Sequence, residues 1–341
     1  MLPIVRSIQK FWPKTRITWC LASLEARLLG DIPGIETVSF DKSQGWRAYS
    51  GLRQAMRGRR FDVLMHAQYS MRSNLASLCV KSPIRLGYDR DRSKDFHGLF
   101  ITHRIPRVSG QHVVDSYFSF AETLGVAGRD LRWDIPVADE DREFARERIP
   151  DNEPTLIISP CSSHTLRNWL PERYAKVADY AASRHGFRIV LCGGPSEAER
   201  KHGEAIEAAM SESPHNLIGK DTVKKLLALL ERATLLMTVD SGPMHMATAA
   251  GTPVLGLHAA SNPDRSGPYL SRQWCVNRYD DAARKFLKKP ASSLKWGTKI
   301  EYPGVMDLVT VEDVMERLDA FVAASSSSVS ASANAASGIS V

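Results

Sequence analysis

An α/β fold with mostly parallel sheets, split into two domains, is what this sequence predicts. Three observations point there. Its apolar runs are short and continuous rather than alternating, which is how strands buried on both faces read. Stretches with helical apolar spacing lie between them, and strand–helix alternation builds parallel sheets. The chain has 341 residues, whereas a single domain usually holds about 100–200.

Taken in order, the opening MLPIVRSIQKFWPKTRITWC reads as a helix running into a strand. It lacks the charged start, long apolar stretch and small-residue cleavage site of a signal peptide. Strands are expected at 17–20, 37–40 and 63–66, then at 155–159, 188–192, 235–239 and 253–257. Helices are expected at 171–185, 196–210, 222–232, 244–250 and 310–323, the last opened by a Thr-x-x-Asp cap. The segment VADEDREFARERIPDNEP is charged, partly helical and closed by two prolines, and it marks a joint near 139–154. The expected organisation is therefore 1–145, 150–323, and a disordered Ser/Ala tail at 324–341.

Composition narrows the class. No apolar run approaches the roughly 20 residues that span a bilayer, so a cytoplasmic protein is expected. The five cysteines are scattered without a CxxC pair, which argues against a zinc site or a disulfide framework. Net charge is +7, and it is unevenly placed. Residues 1–107 carry 19 Lys+Arg against 8 Asp+Glu, while residues 151–341 carry 21 of each. A basic first half suits an anionic partner such as acidic lipid, acidic glycan or nucleic acid. Arg53, Arg57, Arg59, Arg60, Arg85, Arg90, Arg92 and Lys94 supply that excess, and any one of them could equally be a solvated surface residue.

The richest segment is LLMTVDSGPMHMATAAGTPVLGLHAASNPDRSGP, residues 235–268. A buried strand ends at Asp240, the chain turns at Ser241 and Gly242, and a helix begins with Pro243 in its first turn, where its missing N–H costs nothing. Unpaired N–H groups at a helix start bind anions, and glycine allows a phosphate to come close. His245 sits in the same turn as a further donor. The next strand runs to His258 and a loop with Asn262, Pro263 and Asp264. Ligands of doubly wound sheets bind at such strand C-termini. Alone, Ser-Gly-Pro would be an ordinary helix start; here the strand, acid, glycine, histidine and following Gly-Thr-Pro strand coincide.

This constellation resembles the nucleotide-sugar segment of glycosyltransferase family 9, the ADP-heptose:lipopolysaccharide heptosyltransferases. Upstream, SPCSSHTLRNWLPERY, LCGGPSEAER and NLIGKDTVKKLLALLERATLLMTVDSG are similar to the family's phosphate loop, Gly-Gly-Pro loop and approach to the Asp-Ser-Gly motif. HAQYSMRSNLASL, RLGYDRDRS and QHVVDSYFSFAETLG follow the order of its acceptor domain more weakly. The resemblance implies a GT-B fold, two Rossmann-like domains facing a cleft. It implies an enzyme that moves a heptose from an ADP-sugar, with inversion, to an anionic lipopolysaccharide inner-core acceptor. On the donor side it implies Ser162, Ser163, Arg167, Ser241, Gly242 and His245 at the diphosphate, Glu197 at the ribose, the Lys220–Asp221 backbone at the base, and Asp240 at the sugar or bracing its loop. On the acceptor side it implies Gln68, Arg72, Arg90, Arg92, Lys94 and His112. Neither cofactor nor metal is expected, the ADP-sugar being a substrate. Peripheral contact with the cytoplasmic face of the inner membrane is expected, and a nucleic-acid partner is not.

The sequence departs from the family at its start. The family opens with a strand and a Leu-Gly-Asp loop whose aspartate is the presumed general base; this chain opens at Met-Leu-Pro, as if inside the following helix. Leu29-Gly30-Asp31 copies the motif but belongs to the second βα unit, so Asp31 is not assigned as base and no catalytic residue is named. Two readings follow: a start placed too late, or a truncated or degenerate member that binds nucleotide-sugar without efficient catalysis. A dinucleotide-dependent dehydrogenase is disfavoured, because no strand runs into G-x-G-x-x-G.

Overall fold

The computed structural model describes residues 1–337. The chain divides between Pro136 and Val137, a few residues before the joint the sequence suggested. The charged segment after that point is no linker. It forms helix α6 (Asp139–Arg146), and Ala145 and Ile149 behind it are fully buried with Leu229, Leu236 and Met244.

The first unit holds α1 (Leu2–Phe11), β1 (Ile17–Leu21), α2 (Ser23–Leu29), β2 (Ile35–Ser39), α3 (Trp46–Ala55), β3 (Val63–His66), α4 (Met71–Ser77), β4 (Ile84–Gly87), β5 (His103–Arg104) and α5 (Val113–Thr123). Its strands are all parallel but form two sheets, β1–β2 and β3–β4–β5. Both lie over common cores. Ile17 of β1 and Met65 of β3 pack on Ile4, Ile8 and Phe118 from α1 and α5. Val38 of β2 and Leu64 of β3 pack on Leu52, Met56 and Val80. Among the described residues, no strand pairs with both β1 and β3. Asp31 is exposed in the turn after α2.

In the second unit, β6 (Thr155–Ser159), α7 (Pro171–His185), β7 (Arg188–Leu191), α8 (Glu197–Ala209), β8 (His215–Asn216), α9 (Val223–Arg232), β9 (Leu235–Val239), α10 (Gly242–Ala250), β10 (Val254–His258), α11 (Pro263–Ser266), β11 (Val276–Asn277) and α12 (Tyr279–Leu287) precede α13 (Val311–Ser337). One parallel sheet of order β11-β10-β9-β6-β7-β8 results. Side chains of a strand alternate between faces, and the two cores show it. Leu156 and Ile158 join one core with Val177, Ala181, Val314 and Leu318, while Ile157 joins the other with Leu229, Leu230 and Ala247. The chain leaves β6 towards β7 and β8, then returns to build β9, β10 and β11 on the other side. The order therefore reverses between β6 and β9, the place where open sheets of this kind bind ligands.

The end of the chain differs from the sequence reading. Where a disordered tail was expected from Ala324, α13 continues to Ser337. Alanine favours helix, and the hydroxyls of Ser325, Ser326 and Ser327 donate back to the carbonyls four residues earlier at 2.9, 3.0 and 2.9 Å, so the serines satisfy themselves without leaving the helix. Residues 338–341 of that tail lie outside the described residues.

Candidate functional site

Two loops meet at the switch point, one after β6 and one after β9. Thr238 ties them together. Its hydroxyl donates to the Ser159 carbonyl (2.7 Å) and lies 2.9 Å from the Ser241 hydroxyl. Ser241 is thereby held by the strand behind it and does not cap α10. Without a side-chain cap, the first-turn N–H groups of α10 remain open to an anion. A Cβ built on Gly242 would meet nothing within 4 Å, so the approach to that turn is clear.

The Asp240 carboxylate pairs with Lys299. Burial pushes the Asp240 carboxyl up, but the Lys299 ammonium, His258 and the Ser261 hydroxyl outweigh it, and its pKa falls below the usual value. Lys299 is also displaced downward, by burial foremost, with the charges of Arg167 and Arg265 adding and Asp240 opposing. Behind them His258 is buried, its Nδ1 3.2 Å from the Ser261 hydroxyl and its Nε2 without a partner. Burial holds this imidazole neutral, with a pKa of about 4. Gly256 leaves room for it, since a Cβ there would lie 2.9 Å from His258 Nε2. Desolvation also lowers the pKa of His245, against the pull of Asp240, although the residue keeps an open face.

On the β6 side, the Ser162 N–H donates to Asn168 Oδ1 (2.8 Å) and its hydroxyl to the His164 carbonyl (2.9 Å). The serine expected at a phosphate thus braces its own loop, while Ser163 beside it is exposed. Arg167 Nε and Nη2 both reach Glu301 Oε1, at 2.7 and 2.6 Å. The loop is fastened further by Trp169 Nε1, which donates to the Val309 carbonyl (2.9 Å), and by the Tyr174 hydroxyl, which donates to the Pro160 carbonyl (3.2 Å).

Lys299 and Glu301 were not singled out by sequence reasoning. They flank Ile300, which is fully buried and whose N–H donates to the Ala260 carbonyl at 2.8 Å. On either side of the pinned isoleucine, Lys299 reaches Asp240 after β9 and Glu301 reaches Arg167 after β6. The signal in the sequence was the polar–apolar–polar alternation of Lys-Ile-Glu.

The other expected donor residues follow β7 and β8. Glu197 is exposed in the first turn of α8 and pairs with Lys201 at 2.7 Å. Glu199, which sequence reasoning passed over, turns inward: its Oε2 accepts the Gly194 N–H (2.6 Å) and its Oε1 the Ser196 hydroxyl (3.1 Å), while its own N–H donates to the Ser196 hydroxyl that caps α8 (3.3 Å). Lys220 donates to the Asn216 carbonyl at 2.9 Å. Burial raises the neighbouring Asp221 carboxyl to about 7, and its Oδ2 has no partner.

A scan of protein families matches residues 50–296 to glycosyltransferase family 9 (heptosyltransferase). The chain belongs to that family. Among curated family members, the lipopolysaccharide core heptosyltransferase OpsX of Haemophilus influenzae is 35% identical, over 93% of this chain and 91% of its own. Heptosyl transfer in lipopolysaccharide biosynthesis is accordingly the family function. A family 9 crystal structure from Veillonella parvula superposes with a TM-score of 0.74 at 24% identity, covering 94% of this chain and 91% of that one. Escherichia coli heptosyltransferase WaaC, solved with ADP, superposes with a TM-score of 0.70 at 16% identity, covering 94% of each chain. These neighbours make the fold GT-B.

In the first unit, Gln68, Arg72, Arg90 and Lys94 are exposed, Lys94 with its ammonium 5.9 Å from the Tyr69 ring centre. Two expected acceptor residues carry structural duties instead. Arg92 is spent on its own loop, pairing with Asp89 and donating to Gln111 Oε1 and to the Pro106 carbonyl. His112 caps α5, its Nδ1 accepting the Val114 N–H at 3.1 Å. Arg59 and Arg85 are likewise committed, to Glu36 and to the carbonyls of Ser77, Val80 and Phe100. Among the described residues, no group of three His, Cys, Asp or Glu could hold a metal, and no helix is long and apolar enough to cross a membrane.

Proposed function

We propose that this family member transfers a heptose from an ADP-sugar, with inversion, to an anionic inner-core acceptor of lipopolysaccharide. One observation carries the reading: an uncapped helix start, Arg167 and Lys299 converge at the switch point of the second unit's sheet. In the reaction an acceptor hydroxyl attacks the anomeric carbon from the face opposite the nucleotide. The departing diphosphate gains negative charge, and preorganised N–H dipoles and cations offset it most where charge develops. No metal is required by that arrangement. The solved relative that contains ADP supports adenosine diphosphate as the leaving group. The first unit's excess of arginine and lysine suits an acceptor bearing phosphates and carboxylates. Its exposed Trp46, Phe96 and Leu99 suit work at the cytoplasmic face of the inner membrane.

A second reading, nucleotide-sugar binding without efficient transfer, is favoured by the sheet left in two pieces in the first unit and by Asp31 lying in an exposed turn. One experiment separates the two. The chain is incubated with ADP-heptose and a heptose-deficient lipopolysaccharide, and ADP release, acceptor mass and anomeric configuration are followed. Transfer with inversion supports the first reading. ADP binding without transfer supports the second, and binding of neither ADP nor ADP-heptose overturns both.

A further inference from the structure

The two cations at the switch point are not idle. Lys299 is held by Asp240 and Arg167 by Glu301, and all four side chains are half-buried or better. Lys299 and Glu301 come from one short strap whose middle residue is locked into the core. Ile300 is fully buried, its N–H bonds the Ala260 carbonyl, and the Thr298 carbonyl accepts from the Tyr279 hydroxyl at 2.9 Å. The strap therefore sets one cation and one anion against the two ligand-facing loops at fixed spacing. Arg265, beside Gly297 at the start of the strap, adds a third positive charge. The matched family segment ends at residue 296, just before this strap.

Cations gathered in a site of low polarity repel one another, and a carboxylate on each relieves the cost while the site is empty. A diphosphate offers more negative charge and more acceptor oxygens than either carboxylate, and guanidinium groups pair with phosphate bidentately.

We propose that the strap 298–301 is a charge latch for the nucleoside diphosphate: on binding, Lys299 leaves Asp240 and Arg167 leaves Glu301 for phosphate oxygens. Asp240 is then freed to accept from hydroxyls of the donor sugar. Departure of the diphosphate returns both pairs to their first partners, which assists product release. This inference rests on the donor-site reading above and adds Lys299 and Glu301 to it.

Calorimetric titration of the full chain with ADP and with AMP tests it. Exchange of one charge-assisted contact predicts that Lys299→Met weakens ADP about 10- to 100-fold while AMP changes less than about threefold. Lys299→Arg recovers most of the loss. Asp240→Asn and Glu301→Gln, which remove the competing carboxylates, tighten ADP severalfold, and Asp240→Asn has no effect once Lys299 is methionine. The Asp240→Asn/Lys299→Met pair leaves no unpaired buried charge, and its melting temperature shows that the fold persists. The latch is overturned if Lys299→Met binds ADP as the unaltered chain does, if ADP and AMP weaken alike, or if removing either carboxylate weakens ADP. Failure of the unaltered chain to bind ADP overturns the donor site and the latch together; normal ADP binding with an indifferent Lys299 overturns the latch alone.

Discussion

Replacing Ile300 by alanine should cost far more than a loop substitution normally does. The residue looks peripheral in sequence, between a lysine and a glutamate in an irregular stretch. In the structure it is fully buried, in the same core as Leu257, Ala260, Tyr279 and Val305. Truncating a buried isoleucine to alanine removes its transfer free energy and leaves a cavity, about 2–5 kcal/mol together. The strap can collapse part-way, which places the expected loss near 3 kcal/mol, while Ile300→Val should lose roughly 1 kcal/mol. The assay is urea unfolding of the second unit followed by tryptophan fluorescence, with hydrogen exchange at the Ile300 amide as the local readout. That N–H is bonded to Ala260, so its exchange should accelerate at least tenfold, and ADP affinity should fall with it because Lys299 and Glu301 lose their fixed positions. A loss below about 0.5 kcal/mol, the scale of an ordinary surface change, with unaltered exchange would refute the idea that Ile300 pins the strap.

Three further outcomes are expected. In the first unit His66 and His97 share the Asn74 Oδ1, each at 2.9 Å, and burial holds His66 at about 4. The unfolded chain takes up the proton near 6.5, so this contribution is complete above that pH and is lost as pH falls toward 4. The loss is on the order of 3 kcal/mol, and stability measured against pH should flatten in His66→Gln. Arg92→Ala should destabilise the first unit by about 1–3 kcal/mol, since the buried Asp89 loses its charge partner and keeps only the N–H groups of residues 91 and 92, and chemical denaturation should show that loss while ADP affinity stays unchanged. Glu199→Ala should cost about 1–2 kcal/mol in thermal melts through the lost N–H acceptor and its contact with the capping Ser196, whereas Glu197→Ala should stay within about 0.5 kcal/mol.

The second unit was far more legible than the first. Its strands β6 and β9 match the expected 155–159 and 235–239, and α7 matches 171–185. Strands covered on both faces are nearly continuous apolar runs, and that leaves a clear trace. In the first unit β1 and β3 also fall where 17–20 and 63–66 were expected, whereas the half-buried β4 and the two-residue exposed β5 left no signal. The expected donor residues that share one turn, Asp240, Ser241, Gly242 and His245, fall within six residues of chain. Lys299 and Glu301 lie some sixty residues further on, and only tertiary packing of Ile300 brings them back. Glu197 and Glu199 show the limit of motif position, because the same loop offers two acids and the Ser196 cap selects the second. Arg92 and His112 show the limit of residue type, since a basic side chain that closes a loop or caps a helix reads in sequence like one that awaits an anion. The joint was placed a few residues late because a charged, proline-flanked segment reads as linker, although its inward Ala145 and Ile149 belong to the second core.

Whether the opening turn of α10 receives the diphosphate is decided by titrating ADP into Gly242→Leu. Space around that glycine is empty and its backbone is ordinary, so the variant should melt where the unaltered chain does. With a side chain standing before the helix start, ADP affinity should drop at least about 100-fold, a loss of roughly 2.7 kcal/mol. Undiminished ADP binding by a normally folded Gly242→Leu protein would contradict the claim.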